Sequence, residues 1–197
     1  MSPSPQRRLI LGSTSAYRRE LLARLRLPFD VVAPEVDETP TAGERPQDLA
    51  TRLAMAKARA VGARFPRAIV IGSDQVADLR GEAIGKPLVH TAAVEQLRRM
   101  SGQLVVFQTA VAVVCEESQF AQLELAPVQV RFRVLEDAEI EAYLLAEQPY
   151  DCAGSAKSEG LGIALLDSIH NDDPSALVGL PLIRTCRMLR AAGLAVL

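Results

Sequence analysis

Two short apolar runs constrain the fold of this chain more than any other feature of its sequence. The first, Leu9 to Gly12, leads through small polar residues into a helical pattern, and the second, Ala68 to Ile71, leads through a glycine and a serine to Asp74. Short apolar runs bounded by turn-forming residues are typical of buried strands. We therefore expect two neighbouring buried strands, with Asp74 at the end of the second one.

Strand-like and helical segments alternate along the rest of the chain. Pro46 suits the first turn of a long helix that reaches about Arg64, and Leu104 to Cys115 and Val128 to Val134 are apolar enough to be strands. Alternation of this kind is typical of an α/β domain. We predict one such domain over residues 8–197, with two lobes around a cleft, after a disordered N-terminal tail over residues 1–7.

Composition excludes several classes of function. The net charge of −2 argues against a nucleic-acid polymer as partner, and no apolar run is long enough to span a membrane. The three cysteines are widely separated, which favours reduced thiols and a cytoplasmic location. With only two histidines, a metal site built from histidine is disfavoured.

The residues after the first strand are suited to binding phosphate. Free backbone N–H groups at a helix start attract anions, and the hydroxyl of Ser13 and the guanidinium of Arg18 add further donors. The alternative is ordinary helix capping by a serine, with the arginines in solvent.

Carboxylates near the second strand suggest chemistry at a phosphate. Burying Asp74 beside an apolar strand is costly unless a partner, a metal or a reaction uses its charge. Its alternative role is a cap for the turn that follows. Together with Asp74, the loop containing Glu35, Asp37 and Glu38 could bind a hard cation such as Mg²⁺, although an acid-rich surface loop explains it equally well.

Lysine is rare in this chain, and only Lys57, Lys86 and Lys157 occur among its 22 basic residues. Lys57 and Lys86 could supply compact positive charges to a polyphosphate. For Lys57 the alternative is an aliphatic stem lying along the apolar stripe of its helix, with its ammonium in water. The glycine-rich segment 154–162 could approach a ligand closely.

At these residues the chain resembles the Maf-like nucleotide pyrophosphatases, over nearly its whole length. The resemblance is carried by the joint order of six motifs: Leu9 to Leu22, Glu35-Val36-Asp37-Glu38, Arg52-Leu53-Ala54 with Lys57-Ala58, Gly72-Ser73-Asp74-Gln75, Gly85-Lys86-Pro87 and Val178-Gly179-Leu180-Pro181-Leu182. It implies a Maf/ITPase-like fold, in which a mixed central sheet flanked by helices forms a nucleotide cleft.

The resemblance also implies an activity and a set of site residues. The family hydrolyses nucleoside triphosphates between the α and β phosphates with a divalent metal such as Mg, Mn or Co. Its catalytic aspartate corresponds to Asp74, and Glu38 and Asp74 are expected to bind the metal. The residues expected to bind phosphate are Ser13, Arg18, Lys57 and Lys86. The substrate is thus expected to be a nucleotide. The oligomeric state is left open, and a homodimer is one possibility.

Within the family, the chain resembles the branch that cleaves 7-methyl-GTP. The positions linked to base choice correspond to Tyr17, Gln75 and Glu159, although that branch often has tryptophan at the Tyr17 position. A branch acting on dTTP and UTP, with threonine at the Gln75 position and glutamine at the Glu159 position, is the alternative. A regulator of cell division that senses nucleotides without turnover is a second alternative, from a different functional class.

Overall fold

The computed structural model of the protein describes residues 7–197, in which seven strands form one sheet and five α-helices flank it. The strands are β1 (Leu9–Gly12), β2 (Asp30–Val31), β3 (Ile69–Leu79), β4 (Glu82–Ile84), β5 (Leu104–Cys115), β6 (Phe120–Phe132) and β7 (Leu166–His170). The helices are α1 (Ala16–Ala23), α2 (Pro46–Arg64), α3 (His90–Met100), α4 (Asp137–Glu147) and α5 (Leu182–Ala191). The tail predicted over residues 1–7 lies, apart from Arg7, outside the described residues.

The sheet is mixed, as expected. Its strand order is β2-β1-β3-β5-β6-β7, and β4 pairs with β3 as a short hairpin. β1 pairs in parallel with β2 and β3, whereas β5 pairs antiparallel with both β3 and β6. The prediction of an α/β fold with a mixed central sheet is therefore confirmed.

The strand β3 is longer than predicted, and Asp74 lies near its middle. The parallel ladder with β1 stops at the pair Gly12–Gly72, but the antiparallel ladder with β5 continues to Asp78. Because β5 still satisfies the backbone groups of β3, the strand does not end at the polar residues. The prediction that Asp74 ends a strand was wrong, and the residue instead lies just beyond the point where β1 stops.

Helix α2 packs directly on this part of β3. A Cβ atom at Gly72 would lie 2.3 Å from the carbonyl oxygen of Ala54 and 2.5 Å from the amide nitrogen of Ala58. Only a residue without a side chain permits this approach of helix to strand. The close packing brings Lys57, on the same helix, next to Asp74.

Gly72→Ala is therefore expected to destabilise the fold by about 1–3 kcal/mol, because the new methyl group must displace the α2 backbone. Urea denaturation followed by circular dichroism measures the change. Gly85→Ala is the matched control, since nothing lies within 4 Å of a Cβ there. Equal stability of the two variants would contradict the close packing described for Gly72.

The apolar core divides at the middle of the sheet. One cluster joins α1 and α5 to one face of β1 and the first half of β3, and another joins α2 to the opposite face. A third cluster joins the far half of β3 to α3 and α4. This division produces the two lobes that were predicted.

No helix in residues 7–197 is long and apolar enough to cross a membrane.

Candidate active site

A cleft of about 1070 Å³ lies between the lobes, where β1 stops and β3 continues. Its walls come from the start of α1, the loop before α2, the β4–α3 loop and the glycine-rich segment. The nine site residues that the family resemblance implied all line it: Ser13, Tyr17, Arg18, Glu38, Lys57, Asp74, Gln75, Lys86 and Glu159. Of the other two acidic residues proposed for a cation, Glu35 also lines the cleft, whereas Asp37 does not. Segments far apart in the chain thus converge on one cavity.

The centre of the cleft is a cluster of three charged side chains. Lys57 Nζ lies 2.7 Å from Asp74 Oδ1 and 2.8 Å from Glu38 Oε1. Lys57 and Asp74 are only 5% and 7% exposed, whereas the side chain of Glu38 is 58% exposed. The alternative for Lys57 required its ammonium to lie in water at the protein surface. The ammonium is instead buried, where it neutralises the carboxylate of Asp74.

Serine hydroxyls cap the start of α1 next to the cleft. Ser15 caps the helix, because its hydroxyl accepts a hydrogen bond from the Arg18 backbone N–H at 3.4 Å. The hydroxyl of Ser13, which is buried, accepts one from the Ser15 N–H at 3.2 Å. Capping is thus correct for Ser15, while Ser13 and the helix start still border the cleft.

The Arg18 side chain is half-buried and held from one side. Its Nε donates a hydrogen bond to the carbonyl oxygen of Gly179 at 2.9 Å, and no other hydrogen bond from its guanidinium occurs within residues 7–197. Burial lowers the pKa of Arg18, while the charges of Asp74 and Glu38 act in the opposite direction. The two Nη groups remain free to donate to an anion in the cleft.

Lys86 lies across the cleft from this cluster, on the β4–α3 loop. Its side chain is exposed, and it makes no ion pair within the described part of the chain. The preceding carbonyl, of Gly85, accepts hydrogen bonds from Gln96 Nε2 at 3.1 Å and from the Gly154 N–H at 3.3 Å. The Lys86 loop is therefore tied to the glycine-rich segment, on the same lobe.

Gln75 lies opposite Thr109 in the β3–β5 ladder, and its amide group is largely engaged within the protein. Nε2 is 2.9 Å from Thr109 Oγ1, 3.0 Å from the carbonyl oxygen of Ala176 and 2.9 Å from that of Leu177. Because an amide nitrogen carries only two hydrogens, these contacts use its donors. Oε1 is the atom left for a ligand.

Tyr17 lies close to Cys152 and to Lys157 of the glycine-rich segment. Cys152 Sγ lies 3.8 Å from its hydroxyl, and Lys157 Nζ lies 5.8 Å from the centroid of its ring. Burial raises the pKa of Tyr17, and it raises the pKa of Cys152 to about 11, so both groups are neutral at pH 7. Lys157 is in turn paired with Glu147 at 2.8 Å, whereas Glu159 is exposed at the cleft wall.

Two contacts in the site were missed from the sequence. The Ser73 hydroxyl, fully buried, lies 2.7 Å from the carbonyl oxygen of Ala110 and 2.9 Å from that of Gly179. The carbonyl oxygen of Gly179 thus contacts both the Ser73 hydroxyl and Arg18 Nε. Gly179 belongs to the motif Val178 to Leu182. Its role as a hydrogen-bond acceptor could not be predicted from the sequence, because every residue type has a backbone carbonyl.

Glu38 and Asp74 offer oxygen donors of the kind that a divalent cation binds. No group of three or more His, Cys, Asp or Glu side chains suited to a metal occurs among residues 7–197. Mg²⁺ commonly uses one or two carboxylates and takes its remaining ligands from water and phosphate oxygens. The pair therefore fits a cation that binds together with a phosphorylated ligand.

Comparison with known proteins gives a consistent result. A family model described as "Maf-like protein" matches residues 8–192. A protein of Albidiferax ferrireducens named 7-methyl-GTP pyrophosphatase is 72% identical, over 100% of this chain and 99% of its own length. Proteins of the same name from Polaromonas sp. and Aromatoleum aromaticum are 71% and 59% identical, over 96% and 95% of this chain and 86% and 96% of their own lengths. With a match of this extent, the chain belongs to the Maf-like protein family.

Proposed function

We propose that this protein is a nucleoside triphosphate pyrophosphatase that hydrolyses 7-methyl-GTP to 7-methyl-GMP and pyrophosphate. The reaction class is carried by one observation, the buried Asp74–Lys57 pair in a cleft that also contains Arg18. A buried carboxylate beside several cations is suited to hydrolysis of a phosphoanhydride. The choice of base is supported by the name of the relatives, which are up to 72% identical to this chain.

The cations of the cleft have distinct tasks in this reaction. Arg18 binds phosphate oxygens through its free Nη groups, because its Nε is engaged with Gly179. Lys86 approaches the triphosphate from the opposite lobe, and Lys57 lies next to the acidic pair. Together they neutralise the charge that moves onto the leaving pyrophosphate in the transition state.

Asp74 acts as the general base. Lys57 contacts Oδ1, and Oδ2 makes no hydrogen bond among the described residues, so Oδ2 is free to accept a proton from water. The water oxygen forms a bond to the α phosphorus while the bond from that phosphorus to the α–β bridging oxygen breaks. The proton passes to Asp74, and the bridging oxygen leaves with pyrophosphate.

Glu38 and Asp74 would hold a divalent cation, with Mg²⁺, Mn²⁺ and Co²⁺ as the candidates. When bound, such a cation neutralises phosphate charge as a Lewis acid. Lys57, which contacts both carboxylates, keeps them close together and balances their charge.

Pyrophosphate release from 7-methyl-GTP, GTP, dTTP and UTP tests the proposed function. We expect the highest kcat/KM for 7-methyl-GTP. A preference for dTTP or UTP would move the chain to the other branch of the family, and no release from any nucleotide would contradict the enzymatic function.

Glu159→Gln is expected to lower the ratio of kcat/KM for 7-methyl-GTP over GTP by about tenfold. Methylation at N7 gives the base a positive charge, and a hydrogen bond to a charged group contributes roughly 1.5–3 kcal/mol. Tyr17 contributes less, because Lys157 already lies against its ring and a cation–π contact at an exposed site is worth only about 0.5–1 kcal/mol. The measurement is the ratio of the two kcat/KM values in parent and variant.

Glu95→Gln is the control for this prediction, since Glu95 is exposed on α3 and does not line the cleft. It should leave the ratio unchanged. If Glu159→Gln also left it unchanged, the charge of Glu159 would have no part in reading the methylated base.

A further inference from the structure

Three polar side chains on the central strands point at one short turn. Ser73 and Gln75 lie on the same face of β3, and Thr109 lies opposite Gln75 on β5. Ser73 and Thr109 are fully buried. Each contacts a backbone carbonyl between Ala176 and Gly179, in the segment that leads to α5. Three polar side chains of the two central strands thus share one target.

The carbonyl oxygen of Ala176 is the centre of this arrangement. It accepts from Thr109 Oγ1 at 3.0 Å, from Gln75 Nε2 at 3.0 Å and from the backbone N–H of Gly179 at 2.9 Å. Thr109 also accepts a hydrogen bond from Gln75 Nε2 at 2.9 Å, so its hydroxyl acts as donor and acceptor at once. Thr109 therefore fixes both the turn and the amide that supports it.

The turn ends at the carbonyl that holds Arg18. Residues Ala176–Val178 form a single 3₁₀ turn, and Gly179 follows with φ +117°, a conformation that suits glycine. The next group along the backbone, the Gly179 carbonyl, accepts from Arg18 Nε at 2.9 Å. A shift of the turn would consequently redirect the guanidinium of Arg18, a residue that lines the cleft.

We propose that Thr109 is a positioning residue for Arg18, which it orients towards phosphate through the 176–179 turn. Thr109 is not among the residues that line the cleft, so it acts through Arg18 and not by touching the ligand. The inference rests on the proposed function in one respect, namely that Arg18 binds phosphate.

The test uses inorganic tripolyphosphate as ligand and isothermal titration calorimetry as readout, because this binding needs neither the base nor turnover. Thr109→Val keeps the shape of the side chain and removes its hydroxyl. We expect its affinity to fall about tenfold, the effect of one lost hydrogen bond and a displaced partner. Thr109→Ser, which retains the hydroxyl, should restore affinity to within about twofold of the parent.

A double-mutant cycle with Arg18→Ala separates positioning from general weakening of the fold. If Thr109 acts through Arg18, Thr109→Val should have little further effect once Arg18 is absent. Thr185→Val is the matched control, since Thr185 is also fully buried and its hydroxyl donates to the carbonyl oxygen of Pro181 at 2.7 Å. It should leave tripolyphosphate affinity unchanged.

The outcomes distinguish this inference from the proposed function. Three results would each overturn the role of Thr109. In the first, the fold-losses in affinity of Thr109→Val and Arg18→Ala multiply in the double variant. In the second, Thr185→Val loses as much affinity as Thr109→Val, and in the third the parent protein does not bind tripolyphosphate. A parent that binds tripolyphosphate through Arg18 and Thr109 but releases no pyrophosphate from nucleotides would overturn the proposed function alone.

Discussion

Replacing Asp74 with asparagine is expected to lower kcat for 7-methyl-GTP by about 10²–10⁴-fold, because an amide cannot accept the proton of the attacking water. The substitution keeps the size of a side chain that is only 7% exposed. Lys57 retains Glu38 as a partner at 2.8 Å, so nucleotide affinity should change far less than turnover. Steady-state kinetics together with calorimetric binding of nucleotide measure the two effects separately.

Asp78→Asn is the matched control for this variant. Asp78 lies on the same strand and the same face, and its carboxylate accepts hydrogen bonds from the Gly81 N–H at 2.7 Å and from Gln108 at 3.2 Å. It does not line the cleft, so its variant should keep near-normal kcat. Near-normal turnover in Asp74→Asn itself would remove Asp74 from the mechanism.

Arg18→Ala is expected to reduce kcat/KM by about 10²–10³-fold, because it removes a preorganised donor to charge that develops in the transition state. The guanidinium is held at Nε by Gly179 and is partly desolvated, which strengthens its interaction with phosphate. Pyrophosphate release at several nucleotide concentrations gives kcat/KM for parent and variant.

Arg24→Ala is the control, since Arg24 is exposed at the end of α1 and makes no ion pair among the described residues. A surface change of this kind should alter kcat/KM by less than about twofold. Similar losses in both variants would show that the start of α1 does not bind phosphate.

The sequence alone determined the elements that carry the site and the identity of its residues. Apolar periodicity located β1, β5 and α2, and Pro46 marked the start of α2, because these signals arise from local backbone preference and burial. Residue type alone pointed to the cations and to Asp74, whereas Tyr17, Gln75 and Glu159 were selected only by the resemblance to the Maf-like family; all of them line the cleft. Their catalytic and binding roles stay predictions.

Tertiary structure decided how those residues act together. Asp74 was placed at a strand end because local sequence cannot reveal that β5 continues to pair with β3 as far as Asp78. The burial of Lys57 between two carboxylates depends on the approach of α2 to Gly72, which is a long-range contact. The link from Thr109 to Arg18 runs through backbone carbonyls, and every residue type has a carbonyl. Such contacts are set by the fold and leave no trace in the order of side chains.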